Sequence, residues 1–515
     1  MPESKAGLEA KAQKSTSGGA GIFKSKWIKG IIPILVGVAI YILPAPRGLS
    51  PQAWIYFSLF AAVIVGIIIE PVPAALVGLI GIVAACLLGV GAPVVQDSPV
   101  SNTDLIRWGL SGFSDGTVWL IFAAFMFAMG YEKTGLGRRI ALHAVKMLGR
   151  RTLGLGYAVA LSDTALAPFM PSNTARSGGT VYPIVRNIPI IYGSLPDHEP
   201  RKLGAYLVWV ALAGTCVTSS MFLTGLATNV LALSIMKQNG FNIDWVQWFK
   251  AFAPVGILLL LAVPLLTYLI YPPTSRTSEE APRWAAGELE KLGPPSRKEI
   301  TMALLACLAL VLWIFGEKAV PAILESSFGL TFAGLNATTV ALLVLVLMTL
   351  AGVITWDDIL GNKQAWNVLA WFATLVALSA GLKNVGFLKW FADYSVLLLR
   401  GFSPFAVTIG LLVLFYLAHY FFASSTAHAA ALLSIFLTTA KATPGIDASM
   451  AGLLLCLSFG IMGVITPYGT GPSPIWYGTN YVKPGEFWLL GAIFGAIFLL
   501  VFLLVGVPWI RWIGV

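Results

Sequence analysis

Long apolar runs, each near the length of one bilayer crossing and parted by short polar stretches, dominate this chain. In lipid a backbone must satisfy its own N–H and C=O groups, and continuous rather than alternating apolar runs do so as helices. The first half offers spanning candidates at Ile31–Leu43, Trp54–Ile69, Ala74–Val90, Thr117–Tyr131, Leu203–Met236 (broken in its middle) and Phe252–Ile270. The second half offers Ile300–Ile314, Ala333–Ile354, Ala365–Leu382, Ala448–Ile465 and Phe487–Val507. Of the 515 residues, 57% are hydrophobic and 11% charged, too little charge to wet the surface of a soluble domain. The expected fold class is an all-α membrane protein with about eleven transmembrane helices.

The net charge of +10 does not point to nucleic acid, because the basic residues sit between apolar runs, where topology explains them. Lys24, Lys26 and Lys29 precede the first run, and Lys133, Arg138, Arg139, Lys146, Arg150 and Arg151 follow the fourth against one acid, Glu132. By the positive-inside rule both segments are cytoplasmic. The loop at 91–116 carries Asp97, Asp104 and Asp115 against Arg107 and belongs outside, and Lys383 and Lys389 fit the outer boundary. Residues 1–29 read as a disordered cytoplasmic tail, since they lack the apolar core and cleavage site of a signal peptide. Residues 30–271 form a first half, 272–298 a charged cytoplasmic linker, and 299–515 a second half. Leu136–Gly149 alternates basic and apolar residues and suits a helix in the membrane interface, with His143 on its surface. The four cysteines lie in apolar stretches without metal-ligand spacing and read as buried thiols.

A repeat carries the functional argument. Gly149 precedes Ser172-Asn173-Thr174-Ala175-Arg176 by the same interval that separates Gly401 from Ser424-Ser425-Thr426-Ala427-His428. Each cluster follows an amphipathic stretch and an apolar run, and the copies lie about half a chain apart. Hairpins are expected at about 153–190 and about 404–441. An odd number of spans between them inverts one copy relative to the other. Ser, Asn and Thr at hydrocarbon depth are costly without partners, and irregular backbone survives there only in protein or along a cavity. Polar hairpin tips at mid-membrane present hydroxyls and N–H groups, the donors a carboxylate needs. The plainer alternative is that these side chains only join packed helices.

Each copy has a second interruption downstream. The first is Ser219-Ser220-Met221-Phe222-Leu223-Thr224-Gly225-Leu226-Ala227-Thr228-Asn229, and the second Thr466-Pro467-Tyr468-Gly469-Thr470-Gly471-Pro472-Ser473-Pro474. Gly and Pro at that density break a helix and free its polar groups. Arg176 and His428 hold equivalent places, as counter-charges to an anion, or as a structural ion pair and a neutral packing histidine. Asp163 either pairs with Arg176 or sits near the hairpin's end, and His419, on the matching leg, reads as a packing residue.

Pro171-Ser172-Asn173-Thr174-Ala175-Arg176-Ser177-Gly178-Gly179, Phe422-Ala423-Ser424-Ser425-Thr426-Ala427-His428 and Ile465-Thr466-Pro467-Tyr468-Gly469-Thr470-Gly471-Pro472 resemble the divalent anion/sodium symporter family. The likeness is strongest to its exchanger branch of citrate/succinate and tartrate/succinate antiporters and plastid 2-oxoglutarate/malate translocators. It implies an inverted-repeat fold with two re-entrant hairpins, a homodimer in lipid, and a transport domain that slides as an elevator against a scaffold. By the same resemblance Ser172, Asn173, Thr174, Ser424, Ser425, Thr426, Thr224, Gly225, Asn229, Thr466, Pro467 and Gly469 line a substrate site, with Arg176 and His428 standing in for sodium charge. Ser425 departs from the Ser-Asn-Thr tip of sodium-coupled members, which favours exchange of di- or tricarboxylates over sodium symport. The resemblance implies no cofactor, and sodium stays open. An intramembrane enzyme or sensor is disfavoured, because four scattered histidines supply no activated nucleophile or metal set.

Overall fold

The computed structural model describes residues 19–93, 100–399 and 401–514. Seven helices among them are long and apolar enough to cross a membrane, and shorter apolar helices accompany them. In chain order α1 (Gly19–Ile42), α2 (Pro51–Ile69), α3 (Ala74–Leu87) and α4 (Gly116–Thr134) come first. The helix α5 (Leu136–Leu148) then leads to α6 (Thr152–Leu166), the first hairpin leg. Next come α7 (Gly204–Met221), α8 (Ala227–Gln238), α9 (Trp245–Ile270) and α10 (Glu280–Leu292). The second half runs α11 (Arg297–Phe315), α12 (Ala337–Leu350), α13 (Lys363–Asn384) and α14 (Phe387–Leu398). It ends with α15 (Pro404–Ala418), α16 (Ser434–Ala442), α17 (Ala448–Ile461) and α18 (Pro484–Val501).

Polar caps set where several spans begin. Ser50 accepts from Ala53 N with Pro51 in the first turn of α2, while Asp244/Gln247 and Ser296/Glu299 form capping boxes at α9 and α11. Apolar character on every side sends a helix inward, and every residue of α7 is buried. It packs on α6, α9 and α17, so the two broken helices and the first hairpin share one group. The helices α2, α3, α4, α12 and α13 pack with one another in a second group. At the periphery, α11 and α15 expose Leu304, Val311, Phe405 and Leu414, as apolar side chains do toward lipid.

Three expectations change. Helix α1 begins at Gly19, inside the segment read as a disordered tail, and residues 1–18 lie outside the described chain, as does Asp97 of the acidic loop. The break expected within Leu203–Met236 separates α7 from α8, whereas the span expected over Ala333–Ile354 shortens to Ala337–Leu350. The linker at 272–298 contains α10, because Ala281, Ala285 and Leu289 recur at helical spacing and bury one face against α5. Arg138 meets Glu288 at 2.6 Å, and Arg139 reaches Glu299 of α11 at 2.7 Å and the Gly293 carbonyl at 3.0 Å. So α5 is clasped from the linker side, while His143 stays exposed.

Where α7 crosses α17 the backbones touch. A Cβ at Gly460 would stand 2.4 Å from Ser220 N, and Ser220 Oγ accepts from Ile461 N at 3.1 Å. Small residues allow this approach in the absence of a strong apolar drive between helices. Gly460→Val is expected to overpack the crossing by about 1–3 kcal/mol, seen as a lower melting midpoint of the purified protein. An unchanged midpoint would show that the two broken helices separate freely.

Candidate functional site

Both hairpins turn by the same local device. After α6, Pro168 and Pro171 stop the helix, and Ser172 Oγ accepts from Ala175 N at 3.2 Å to start the return leg. After α15, a tight turn at His419–Phe421 ends the first leg, and Ser424 Oγ accepts from Ala427 N at 3.4 Å. Each return leg then widens into a π-helical turn, at Thr174–Val181 and at Ala429–Leu433. Such widened turns shift side-chain register and are common at functional sites.

The two tips converge on the second broken helix. Asn173 Nδ2 donates to Thr470 Oγ1 at 2.7 Å, and Ser425 Oγ donates to the Gly469 carbonyl at 3.3 Å. Thr174 presses on Gly471 so closely that a Cβ there would lie 1.9 Å from its Oγ1. The second tip also reaches the first broken helix, with Thr426 Oγ1 and Thr228 Oγ1 2.9 Å apart. Each hairpin tip therefore touches the interrupted helix of the other copy. Ser172, Asn173, Ser425, Thr426, Gly469 and Thr470 are buried, whereas Gly471 is exposed.

Other expected residues hold the frame. Asn229 Nδ2 staples the first break by donating to the carbonyls of Ser219 (2.7 Å) and Phe222 (3.0 Å). Thr224 Oγ1 donates to the Pro168 carbonyl and accepts from Trp245 Nε1 at 3.2 Å, tying the break to the hairpin below its tip. Thr466 Oγ1 and Asn229 Oδ1 are buried without partners among the described residues, and Pro467 is half-buried.

Arg176 is fully buried and meets a partner rather than a cavity. Its Nε–H donates to Asp163 Oδ2 at 3.0 Å, and one terminal nitrogen donates to the carbonyls of Met170 (2.6 Å) and Gly225 (2.7 Å). The other terminal nitrogen faces the hydroxyls of Thr215, Thr218 and Ser219 at 3.1 to 3.4 Å. With every N–H spent and a carboxylate in contact, the guanidinium is not free to hold an anion, as a counter-charge role would need. It locks the hairpin to the break instead.

The second hairpin replaces that lock with two histidines. His419 Nε2 donates to the Gly469 carbonyl at 2.6 Å, so its Nδ1 is the acceptor for His428 Nδ1–H at 3.1 Å. This pattern leaves the Nε2 lone pair of a neutral His428 buried and unpartnered. The rings of Phe415, Phe422 and Phe459 enclose that imidazole with centroids 4.3, 4.8 and 5.9 Å away. His428 thus stands behind His419 and not at the tip. Sequence reasoning read His419 as a packing residue, and quoted Thr470 and Gly471 within the second interruption without placing them at the site. The signal for His419 was its place on the leg matching that of Asp163.

A membrane-embedded helical protein with paired hairpin tips on interrupted helices has the build of a secondary transporter. The chain belongs to the family described as the sodium:sulfate symporter transmembrane region, which it matches over residues 24–515. It is similar to the citrate/succinate antiporter of Escherichia coli K12, 46% identical over 489 residues, covering 93% of this chain and 97% of that one. It is also similar to the L-tartrate/succinate antiporter of the same strain, 43% identical over 496 residues, covering 94% and 98%. Its fold resembles the YdaH transporter of Alcanivorax borkumensis (TM-score 0.56, 16% identity, covering 85% of this chain and 98% of that one). It also resembles MtrF of Neisseria gonorrhoeae (TM-score 0.56, 14% identity, covering 93% and 97%).

Three substitutions test the site. Asp163→Asn strands a buried guanidinium and is expected to cost about 3–5 kcal/mol, with Arg176→Met relieving much of that loss in the double variant. Strictly additive melting shifts would show that the pair is not coupled. Gly471→Ala drives a methyl into Thr174 and is expected to abolish transport while the protein still purifies as a folded species, and uptake at the parent rate would place the tips elsewhere.

Proposed function

We propose that the protein exchanges small di- or tricarboxylates across the membrane, in the first instance C4–C5 dicarboxylates such as malate, succinate, fumarate and 2-oxoglutarate. The observation that carries this reading is the convergence of both tips on Gly469-Thr470-Gly471. There Asn173, Thr174, Ser425 and Thr426 gather amide and hydroxyl groups suited to carboxylate oxygens. The printed activities of the relatives, citrate/succinate and tartrate/succinate antiport, support the same substrate class and mode.

The electrostatics favour exchange over sodium symport. Carbonyls released at a break are natural cation ligands, yet that of Gly225 takes an N–H of Arg176 and that of Gly469 the ring N–H of His419. Protein donors thus already engage these two carbonyls. Asp163 cancels the charge of Arg176, so an anion at the tips meets amide and hydroxyl dipoles rather than a standing cation.

In this reading the hairpins and broken helices move together against the second group of helices, as an elevator, in a homodimer in lipid. The basic segments after α4 set the N-terminus on the cytoplasmic side of a bacterial inner membrane. Counterflow in liposomes tests the proposal. Labelled succinate is expected to enter only vesicles preloaded with a di- or tricarboxylate, at equal rates with and without sodium. Entry into empty vesicles would overturn exchange, and a sodium requirement would restore symport.

A further inference from the structure

One basic pocket lies apart from the tips, where the two helix groups meet at the membrane boundary. Its cavity of about 270 Å³ is walled by the end of α13, by α14 and by the return leg of the second hairpin. Each supplies an ammonium group, from Lys383, Lys389 and Lys441 respectively, and Asp393 is the one carboxylate on its wall. Two of the lysines are aimed by the end of α8: Lys383 Nζ donates to the Gln238 carbonyl at 2.8 Å, and Lys441 Nζ to that of Asn239 at 3.1 Å. Each bond uses one of the protons on its nitrogen and leaves the others for a ligand. None of the three forms an ion pair among the described residues.

The surroundings narrow the ligand. Lys383 closes an apolar helix of spanning length, so the pocket sits at the level of lipid headgroups. Helix α14 turns Leu388 and Ala392 inward and exposes Tyr394, Leu397 and Leu398. A soluble anion gains nothing from those apolar side chains, whereas a phosphate attached to acyl chains meets both surfaces. We propose that this pocket binds the phosphate of an anionic phospholipid, with Lys389 as the lysine not committed to the protein frame. Because its walls come from both helix groups, a lipid seated there ties the second hairpin to α13 and α14.

The test uses the full chain, purified and delipidated in a neutral detergent. Its melting midpoint is followed during titration with phosphatidylglycerol, phosphatidylcholine and inorganic phosphate. Phosphatidylglycerol is expected to raise the midpoint saturably, and the other two are not. Lys389→Gln, which breaks no contact within the protein, is expected to weaken the apparent affinity about fivefold, from roughly 1 kcal/mol per lysine near the surface. Asp393→Asn is expected to tighten it, a change of opposite sign that general destabilisation does not produce. The proposal is overturned if phosphatidylglycerol gives no shift or only that of phosphatidylcholine. It is overturned equally if free phosphate reproduces the shift, or if either variant binds like the parent.

Discussion

Two helices that stop inside a membrane have to find partners for the carbonyls and amides they release, since lipid offers none. Everything distinctive about this protein answers that requirement. The first break is stapled by Asn229 and by the guanidinium of Arg176, which joins the Gly225 carbonyl in the gap to the Met170 carbonyl of the hairpin. The second is held by His419 and Ser425, which share the Gly469 carbonyl. Satisfying the breaks in part from the hairpins brings the tips into register.

The two halves reach the same geometry with unlike chemistry. In the first, a buried ion pair supplies a fixed charge and cancels it on the spot. In the second, a neutral histidine pair carries no charge until a proton arrives, and aromatic rings surround the nitrogen that would take it. The polar centre is electrically quiet as it stands, which lowers the cost of burying it while the site is empty. An arriving anion then meets dipoles rather than a standing excess of charge.

The helix groups also differ in how they meet. At the linker side, Arg139 and Glu299 join α5 to α11 through a buried pair, and α10 covers the same helix. Toward the opposite face the contacts are single: Ser234 on Asp115, Ser379 on Ser434, and Lys318 on Asp244. Isolated polar contacts of this kind break and re-form at small cost, as relative movement of two groups demands.

The sequence by itself determined the all-helical membrane build, the paired polar clusters and the places where helices break. Those depend on local hydropathy and on Gly and Pro, which act through their neighbours in the chain. Only the tertiary structure decided how the charges are used. The sequence left Arg176 open as a counter-charge to an anion or as half of an ion pair with Asp163, thirteen positions away, and the fold sets that carboxylate against it. His419 resembled packing until Gly469, fifty positions on, supplied its carbonyl. A helix inside the charged linker was legible in its four-residue apolar spacing, but its docking on α5 was not. Electrostatic and hydrogen-bond partners are chosen across space, and one unaligned sequence records separation along the chain alone.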